Sequence, residues 1–478
     1  MTASIIIRSI LFIPLSILFS SPAFAQPSTS TKLRVVVLSD IENEPDDAES
    51  LVRFLTYSNR WDVEGIIATT SVHQKDRIAD HRMREIVAAY GKVRDNLALH
   101  ESGYPTEAAL QQLIRRGYPS FGLQAVGKDK DSEGSEWLIS LMNRKDDRPI
   151  WVLVWGGPNC LAQALWKIKS TRSPDDVAAI VKKLRVYAIS DQDDSGYWIR
   201  KTFPELFYIV TPGIHTRNAY HFATWTGISG DARHRFGGAD TTLISNRWLL
   251  DNVRTGHGPL GAEYPAWLYI MEGDTPSFLY LIDNGLGDPE HPDYGSWGGR
   301  YELQLPPYHK SMPEPEPRPI WTNAVDEVKG VDGQYYRTDQ ATIWRWRKAY
   351  QHDFAARMDW CVKPFDQANH PPVPVITAGL KRIAAPGDTV RLDAGASTDP
   401  DRNRLSFKWE WYPEAGTFIT NKSFRISSPD KADAWFIAPD VTKPETIHVI
   451  LSVTDVGEPA LTRYLRVIVT VIPRLSAR

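Results

Sequence analysis

Five carboxylates crowd into eight residues near the start of this 478-residue chain: Asp40, Glu42, Glu44, Asp46 and Asp47, in the run Ser39-Asp40-Ile41-Glu42-Asn43-Glu44-Pro45-Asp46-Asp47. Like charges this close repel one another unless water, a helix start or a cation neutralises them. A helix N-terminus accommodates Asp46 and Asp47, because its free amides and dipole favour negative charge. That accounts for one or two of the five. A divalent cation accounts for the set. The ligand types then select the ion: no His-rich or Cys-rich spacing and no H-E-x-x-H run occurs. An all-oxygen site suits Ca2+, with Mg2+ second. Two cysteines, Cys160 and Cys361, are too few for a zinc or iron–sulfur site. A disulfide and two buried thiols both remain open for them.

Further acids stand at Asp191, Asp193 and Asp194, with Trp198 and Arg200 close behind. Acids beside an indole suit the hydroxyls and the apolar face of a sugar; a solvated loop is the plainer reading. Glu272-Gly273-Asp274 offers a late carboxylate, for which a turn acid is the plain alternative. The Gly/Pro-rich stretch 285–300 carries His291, Trp297 and Arg300. Long loops of this kind are often lids or binding loops. These three are therefore candidate substrate contacts, and His291 a candidate general acid, although a lone His is more often structural. With 17 tryptophans the chain has ample indole for either core packing or sugar stacking.

The elements that must position these residues alternate. Leu33–Leu38 is an apolar, β-branched run of strand length. Asp46 to Ser58 places Ala48, Leu51, Phe54 and Leu55 at helical spacing, and Val63–Ala68 is the next strand. Such a βαβ unit implies a parallel sheet with a right-handed crossover. Ile150–Trp155, Leu184–Ile189 and Leu206–Val210 predict further strands, with a helix over Leu161–Ile168. The expected fold class is thus α/β with a mostly parallel open sheet. In such sheets ligands collect at the carboxyl ends of the strands, where the acids lie. The composition shifts at His370-Pro371-Pro372-Val373-Pro374, read as a stiff linker. Alternating segments at Thr389–Leu392, Leu405–Trp411, Ile447–Val453 and Tyr464–Val471 then predict a small antiparallel β-sandwich. The expected units are residues 33–368 and 372–475.

Residues 1–25 read as a signal peptide: Arg8, an apolar run from Ile10 to Phe19, and Ala23-Phe24-Ala25 as the cleavage site. The protein is therefore expected to be exported, periplasmic or secreted. No stretch reaches the length of a membrane span. With 55 Lys+Arg against 58 Asp+Glu, the net charge of −3 points away from nucleic acid.

The acid-rich run resembles the opening motif of the inosine–uridine nucleoside hydrolases, D-x-D-x-x-x-D-D at the first strand tip. Asp46 and Asp47 match its last two positions. An ungapped count puts Glu42 at that family's catalytic aspartate; a two-residue insertion puts Asp40 there, and Asp40 is preferred because it comes straight off the strand. Trp155-Gly156-Gly157-Pro158-Asn159 resembles that family's Gly-rich turn. The likeness implies a Pro158 carbonyl ligand and Asn159 beside the sugar. Taken whole, the chain more closely resembles a bacterial family of cellulose-binding proteins with a nucleoside-hydrolase-like domain and a C-terminal cadherin-like sandwich. Asn43–Asp47, Ile189–Gly196, Glu272–Ser277 and Ser296–Arg300 carry that likeness. It implies metal ligands Asp40, Asp47, Asp274 and the Pro158 carbonyl, and Asp40 or Asp46 as general base. The hydrolases carry His before their late aspartate; here Gly273 precedes Asp274, which weakens any expectation of nucleobase activation. Two functions compete: a hydrolase of a glycosidic or N-glycosidic bond, and a carbohydrate-binding protein, for a cellulose-like polysaccharide surface, that retains the site.

Overall fold

The β-branched run after residue 32 becomes the central strand of an eight-stranded sheet. The computed structural model describes residues 32–213, 226–308, 310, 312–420 and 424–474. The expected targeting segment, residues 1–25, and Leu475 at the end of the expected sandwich lie outside the described residues. The sheet comprises β1 (Leu33–Ser39), β2 (Trp61–Ala68), β3 (Ile114–Arg116), β4 (Ile150–Val154), β5 (Leu184–Ser190), β6 (Phe207–Thr211), β7 (Tyr301–Gln304) and β8 (Ile320–Asn323). Their spatial order is β3-β2-β1-β4-β5-β6-β8-β7. All pairs are parallel except β7 with β8. The short strands β3, β7 and β8 carry no apolar run long enough to announce them in the sequence.

The order contains a switch point. From β1 the chain winds outward through β2 and β3, then returns to lay β4 on the other flank of β1. The connections after β1 and β4 therefore leave in opposite directions and open a crevice at their carboxyl ends. Asp40 is the first residue past β1, and Gly156-Gly157 lie just past β4. Helix α1 (Pro45–Thr56) starts with Pro45 in its first turn, where proline's fixed φ suits a helix and its missing N–H costs nothing. It buries Leu51, Val52, Phe54 and Leu55. Helix α2 (Asn159–Thr171) follows β4, and α3 (Ser195–Thr202) follows β5.

Past the α/β part, β9 (Asp326–Lys329) and β10 (Tyr335–Thr338) form an antiparallel hairpin. The C-terminal strands are β11 (Lys381–Ala384), β12 (Thr389–Asp393), β13 (Ser406–Trp411), β14 (Asp433–Ile437), β15 (Glu445–Thr454) and β16 (Thr462–Val471). They form a four-stranded sheet, β11-β16-β15-β13, and a two-stranded sheet, β12-β14. The expected antiparallel pairing describes β13, β15 and β16, but β11 joins β16 in parallel. The proline segment is not a free spacer. His370 is buried against Asp401, and Val373 bridges Thr398. Cys160 and Cys361 are both buried free thiols.

Candidate metal and active site

Helix α1 brings Asp46 and Asp47 to the crevice on its first turn. A third carboxylate arrives from far along the chain: Asp274, the residue just before the short helix α4 (Thr275–Leu279), whose side chain makes no capping bond to it. One oxygen from each of Asp46, Asp47 and Asp274 lies within 4.8 Å of the other two. Asp40 lines the same cleft beside them, together with Asn43, Glu44, His73, Ile189, Gln192, Arg233, Ile270 and Gly273. Asp40 and Asp274 are 2% exposed and Asp46 9%, so water does little to screen them.

The electrostatics follow from that burial. Desolvation pushes Asp40 up to about 6, opposed by the hydrogen bond from Ser71. It pushes Asp46 up to about 8, helped by the nearby charges of Glu44 and Asp40. Asp47 and Asp274 are driven well above the usual carboxylate range, first by burial and then by one another and their neighbours. Ser39 Oγ donates to Asp47, and Ser71 Oγ donates to Asp40. Asp274 Oδ2 is buried with no hydrogen-bond partner among the described residues. A buried carboxylate oxygen without a donor is costly. Three buried acids around one point, one of them with such an oxygen, fit a hard divalent cation bound through oxygen.

Glycines let the walls approach this closely. A Cβ on Gly156 would stand 2.5 Å from Asp40 Oδ1, and one on Gly273 would stand 2.2 Å from Asp46 Oδ2. Glu272, just before, sits at φ 50°, a left-handed conformation that a non-glycine residue adopts only under constraint. The constraint is visible. Arg53 of α1 binds Glu272 Oε2 at 2.6 Å, Tyr264 Oη donates to Oε1 at 2.8 Å, and the Glu272 amide donates to Glu49 at 2.8 Å. Below the cleft, Phe54 packs against Trp61, Trp155 and Phe278, and Trp155 Nε1 donates to Ser277 at 2.8 Å. Helix α1, the end of β4 and the Asp274 turn thus share one rigid floor.

Other expected site residues lie elsewhere. The structure gathers Asp46 with Asp47 and Asp274, and leaves Asp40 at their side rather than in the triad. Glu42 turns outward at φ 77° toward Arg82, so of the two alternatives Asp40 lines the cleft. The Pro158 carbonyl accepts the Ala162 amide at 2.9 Å, closing the first turn of α2, and is not part of the cleft wall. Asn159 is buried and donates to Thr70 Oγ1 and the Ser120 carbonyl, both at 2.8 Å. Asp191 pairs with Arg200 through two bonds of 2.7 and 2.8 Å. Asp193 turns back onto the Ser195 amide at 2.8 Å, and Asp194 holds the Leu123 amide at 2.8 Å. These acids pin loops and helix starts.

The aromatic and basic candidates also take structural roles. Trp198 packs edge-on to Phe203. His291 is 49% exposed and stacks on Tyr294. Trp297 has no exposed surface; its Nε1 donates to Tyr464 Oη at 3.3 Å, so its face cannot stack on a sugar. Arg300 is buried against Asp326 at 2.7 Å. The stretch 285–300 is therefore not a lid: it is held against the C-terminal strands.

The sequence matches a family model described as "Cellulose-binding Sde182, nucleoside hydrolase-like domain" over residues 34–301. The chain belongs to the Sde182 family. A second model, "Cellulose-binding protein Sde0182, C-terminal domain", matches residues 389–471. A solved nucleoside hydrolase-related protein from Saccharophagus degradans, described as associated with carbohydrate metabolism, is 34% identical. That match covers 92% of this chain and 100% of the other, at a TM-score of 0.77. A PKD domain from KIAA 1837 protein matches at 22% identity over 22% of this chain and 90% of its own, with a TM-score of 0.17. The effector protein XOO4466 matches at 9% identity over 69% of this chain and 94% of its own, with a TM-score of 0.36. Neither bears on the site. No curated protein matches the sequence. The α/β part of this Sde182-family chain is accordingly a nucleoside-hydrolase-like domain. Sequence reasoning did not single out His73, Gln192, Arg233 or Ile270 in its cleft. Gln192 alone had a signal, its place directly past β5.

Proposed function

We propose that this chain is a metal-dependent hydrolase of a glycosidic or N-glycosidic bond that acts outside the cytoplasm on a carbohydrate or nucleoside-like substrate. One observation carries the reading: three buried carboxylates, Asp46, Asp47 and Asp274, meet within 4.8 Å, one of them with an unpartnered oxygen, at the switch point of the sheet. Those three would hold the ion, and their chemistry favours Ca2+. A bound cation supplies charge that orients sugar hydroxyls and lowers the pKa of water. Asp40 stands beside the triad, fixed by Ser71, and takes the proton of the attacking water. Asn43 presents its side-chain amide to substrate hydroxyls, and Gln192, whose Nε2 donates to the Trp155 carbonyl at 2.5 Å, offers its amide oxygen. The test is calorimetric Ca2+ titration alongside a panel of nucleosides and glycosides. Asp274→Asn should lose both ion and turnover. Asp40→Asn should keep the ion and lose turnover. Wild type inactive across the panel at saturating Ca2+ would sink the hydrolase reading.

A second reading has its own support. Gly273 carries no proton donor, and the family's description names cellulose binding. On that reading the chain is a carbohydrate-binding protein for a polysaccharide surface, and it would be retained on cellulose without turning anything over.

A further inference from the structure

A second cavity lies at the other end of the sheet from the acids. The acid cleft opens at the carboxyl ends of β1 and β4. This cavity sits at the amino ends of β5 and β6, where Arg185 and Phe207 stand near the strand starts. Its volume is about 710 Å³, inside the roughly 300–1,000 Å³ typical of small-molecule sites. The helix Pro174–Lys182 supplies much of its lining. Ser173 Oγ accepts the Asp176 amide at 3.2 Å and Pro174 takes the first turn, so the start of that helix is fixed. Val177 and Val181, one turn apart, then share a face that lines the cavity. Phe203 and Pro204, just past α3, and Phe207 at the start of β6 complete the apolar lining.

The charge around this apolar floor has one sign. Lys169 at the end of α2, Arg172, Lys182 and Arg185 all line the cavity, and Glu205 is the one acid among the described residues that do. Asp175 and Asp176, on the same helix, do not line it. Arg185 is already committed: it pairs with Glu290 at 2.9 Å and lies over the Phe207 ring at 5.2 Å. The side chains of Lys169, Arg172 and Lys182 make no hydrogen bond or ion pair with any described residue. Three uncompensated cations around an apolar floor are complementary to a molecule that joins a hydrocarbon body to an anion. A sugar phosphate would leave the apolar walls uncovered. A neutral lipid would leave the cations unused.

We propose that this cavity binds a small amphipathic carboxylate, its apolar body against Val177, Val181, Phe203 and Phe207 and its anion on the cations Lys169, Arg172 and Lys182. The site is independent of the acid cleft and of what that cleft does. The test is calorimetric titration of the full chain, in calcium-free buffer, with decanoate and with decyltrimethylammonium, both below micelle-forming concentrations. Decanoate should bind saturably at one per chain, at least about tenfold more tightly than the cation. The triple variant Lys169→Glu, Arg172→Glu, Lys182→Glu should weaken decanoate by about tenfold or more, and Val177→Asp should do so too. Asp274→Asn should leave decanoate binding unchanged. Equal affinity for the two probes would reduce the cavity to an apolar patch and overturn the proposal. So would the absence of saturable binding at millimolar decanoate, or loss of binding in Asp274→Asn. Sedimentation showing a dimer that Val177→Asp dissociates would make a second copy the occupant and overturn it as well.

Discussion

Asp46 shows how much a buried carboxylate depends on what it faces. In the ion-free chain Asp40 holds its proton up to about 6 and Asp46 up to about 8, whereas in the unfolded chain both release it near 3.8. The folded state thus binds more protons across this window, so stability without Ca2+ should fall as pH rises from about 4 to about 8. Ca2+ bound there, as proposed, would favour the ionised acids, and the rise in Tm that it brings should then grow over the same interval. Calorimetric melting with chelator and with Ca2+, at several pH values, checks both trends; ion-free stability that climbs with pH would contradict the assignment. Gly273→Ala should weaken Ca2+ binding and cost about 1–3 kcal/mol, because the added methyl must displace Asp46. Urea unfolding and titration of the same variant measure the two effects. The acid-rich run was legible in the sequence because five carboxylates in eight residues need an explanation. That Asp46 joins the triad and Asp40 stands beside it was not, because spacing does not say which way side chains point off a strand tip and off the first turn of the helix that follows. Trp297 and Arg300 misled for a related reason: a residue type suited to sugar is equally suited to a buried seam.

At the scale of elements, α1 and the Asp274 turn are joined by the buried Arg53–Glu272 pair, both side chains fully enclosed. Removing one partner leaves the other charge without compensation in the interior. Glu272→Gln should therefore destabilise the fold by about 3 kcal/mol and weaken Ca2+ binding, because Asp274 follows two residues later. Arg53→Met should do the same, and the double variant should lose much less than the sum. A double-variant cycle of unfolding free energies and Ca2+ affinities checks this; strict additivity would mean the pair does not hold the turn. The longer central strands were readable because they are buried on both faces and carry an unbroken apolar run: Val35–Leu38 in β1 and all of β4 are examples. Strands β7 and β8 were not, since Tyr-Glu-Leu-Gln and Ile-Trp-Thr-Asn span only four residues each, too short for a pattern to show. The pairing of β11 depends on a partner some 87 positions away, at Ile468, which no local pattern reveals.

For the molecule as a whole, the seam between the α/β part and the C-terminal strands continues the apolar core of the α/β part. Tyr412, Ile450 and Tyr464 belong to the same apolar cluster as Trp297, Trp346 and helix α5 (Arg347–Trp360) through Tyr350 and Phe354. Polar bonds cross it too: Tyr412 Oη to Asp326 at 2.7 Å, Arg463 to Asp353 at 2.6 Å and Arg466 Nε to the Leu286 carbonyl at 2.9 Å. A chain ending at about residue 370 would uncover Trp297 and leave Asp326 short of a donor. It should aggregate or melt well below the full chain, as size-exclusion chromatography and thermal unfolding would show; a monomer of undiminished Tm would contradict this seam. The proline run reads as a stiff spacer by composition alone, yet His370 inside it is bonded on both sides, to His100 and to Asp401.

The contact between position 273 and Asp46 also constrains the order in which this site can change. Any residue larger than glycine at 273 collides with a carboxylate 2.2 Å away, so such a substitution arrives as a loss for as long as Asp46 stays in place. Replacing Asp46 first opens the space but removes an acid from the triad. Each single step toward a side chain at 273 therefore goes downhill, and only the pair together offers a way across. Lineages or selection experiments that move one residue at a time should stay with Gly273, whereas libraries that vary positions 46 and 273 jointly should find the combinations that single steps never reach.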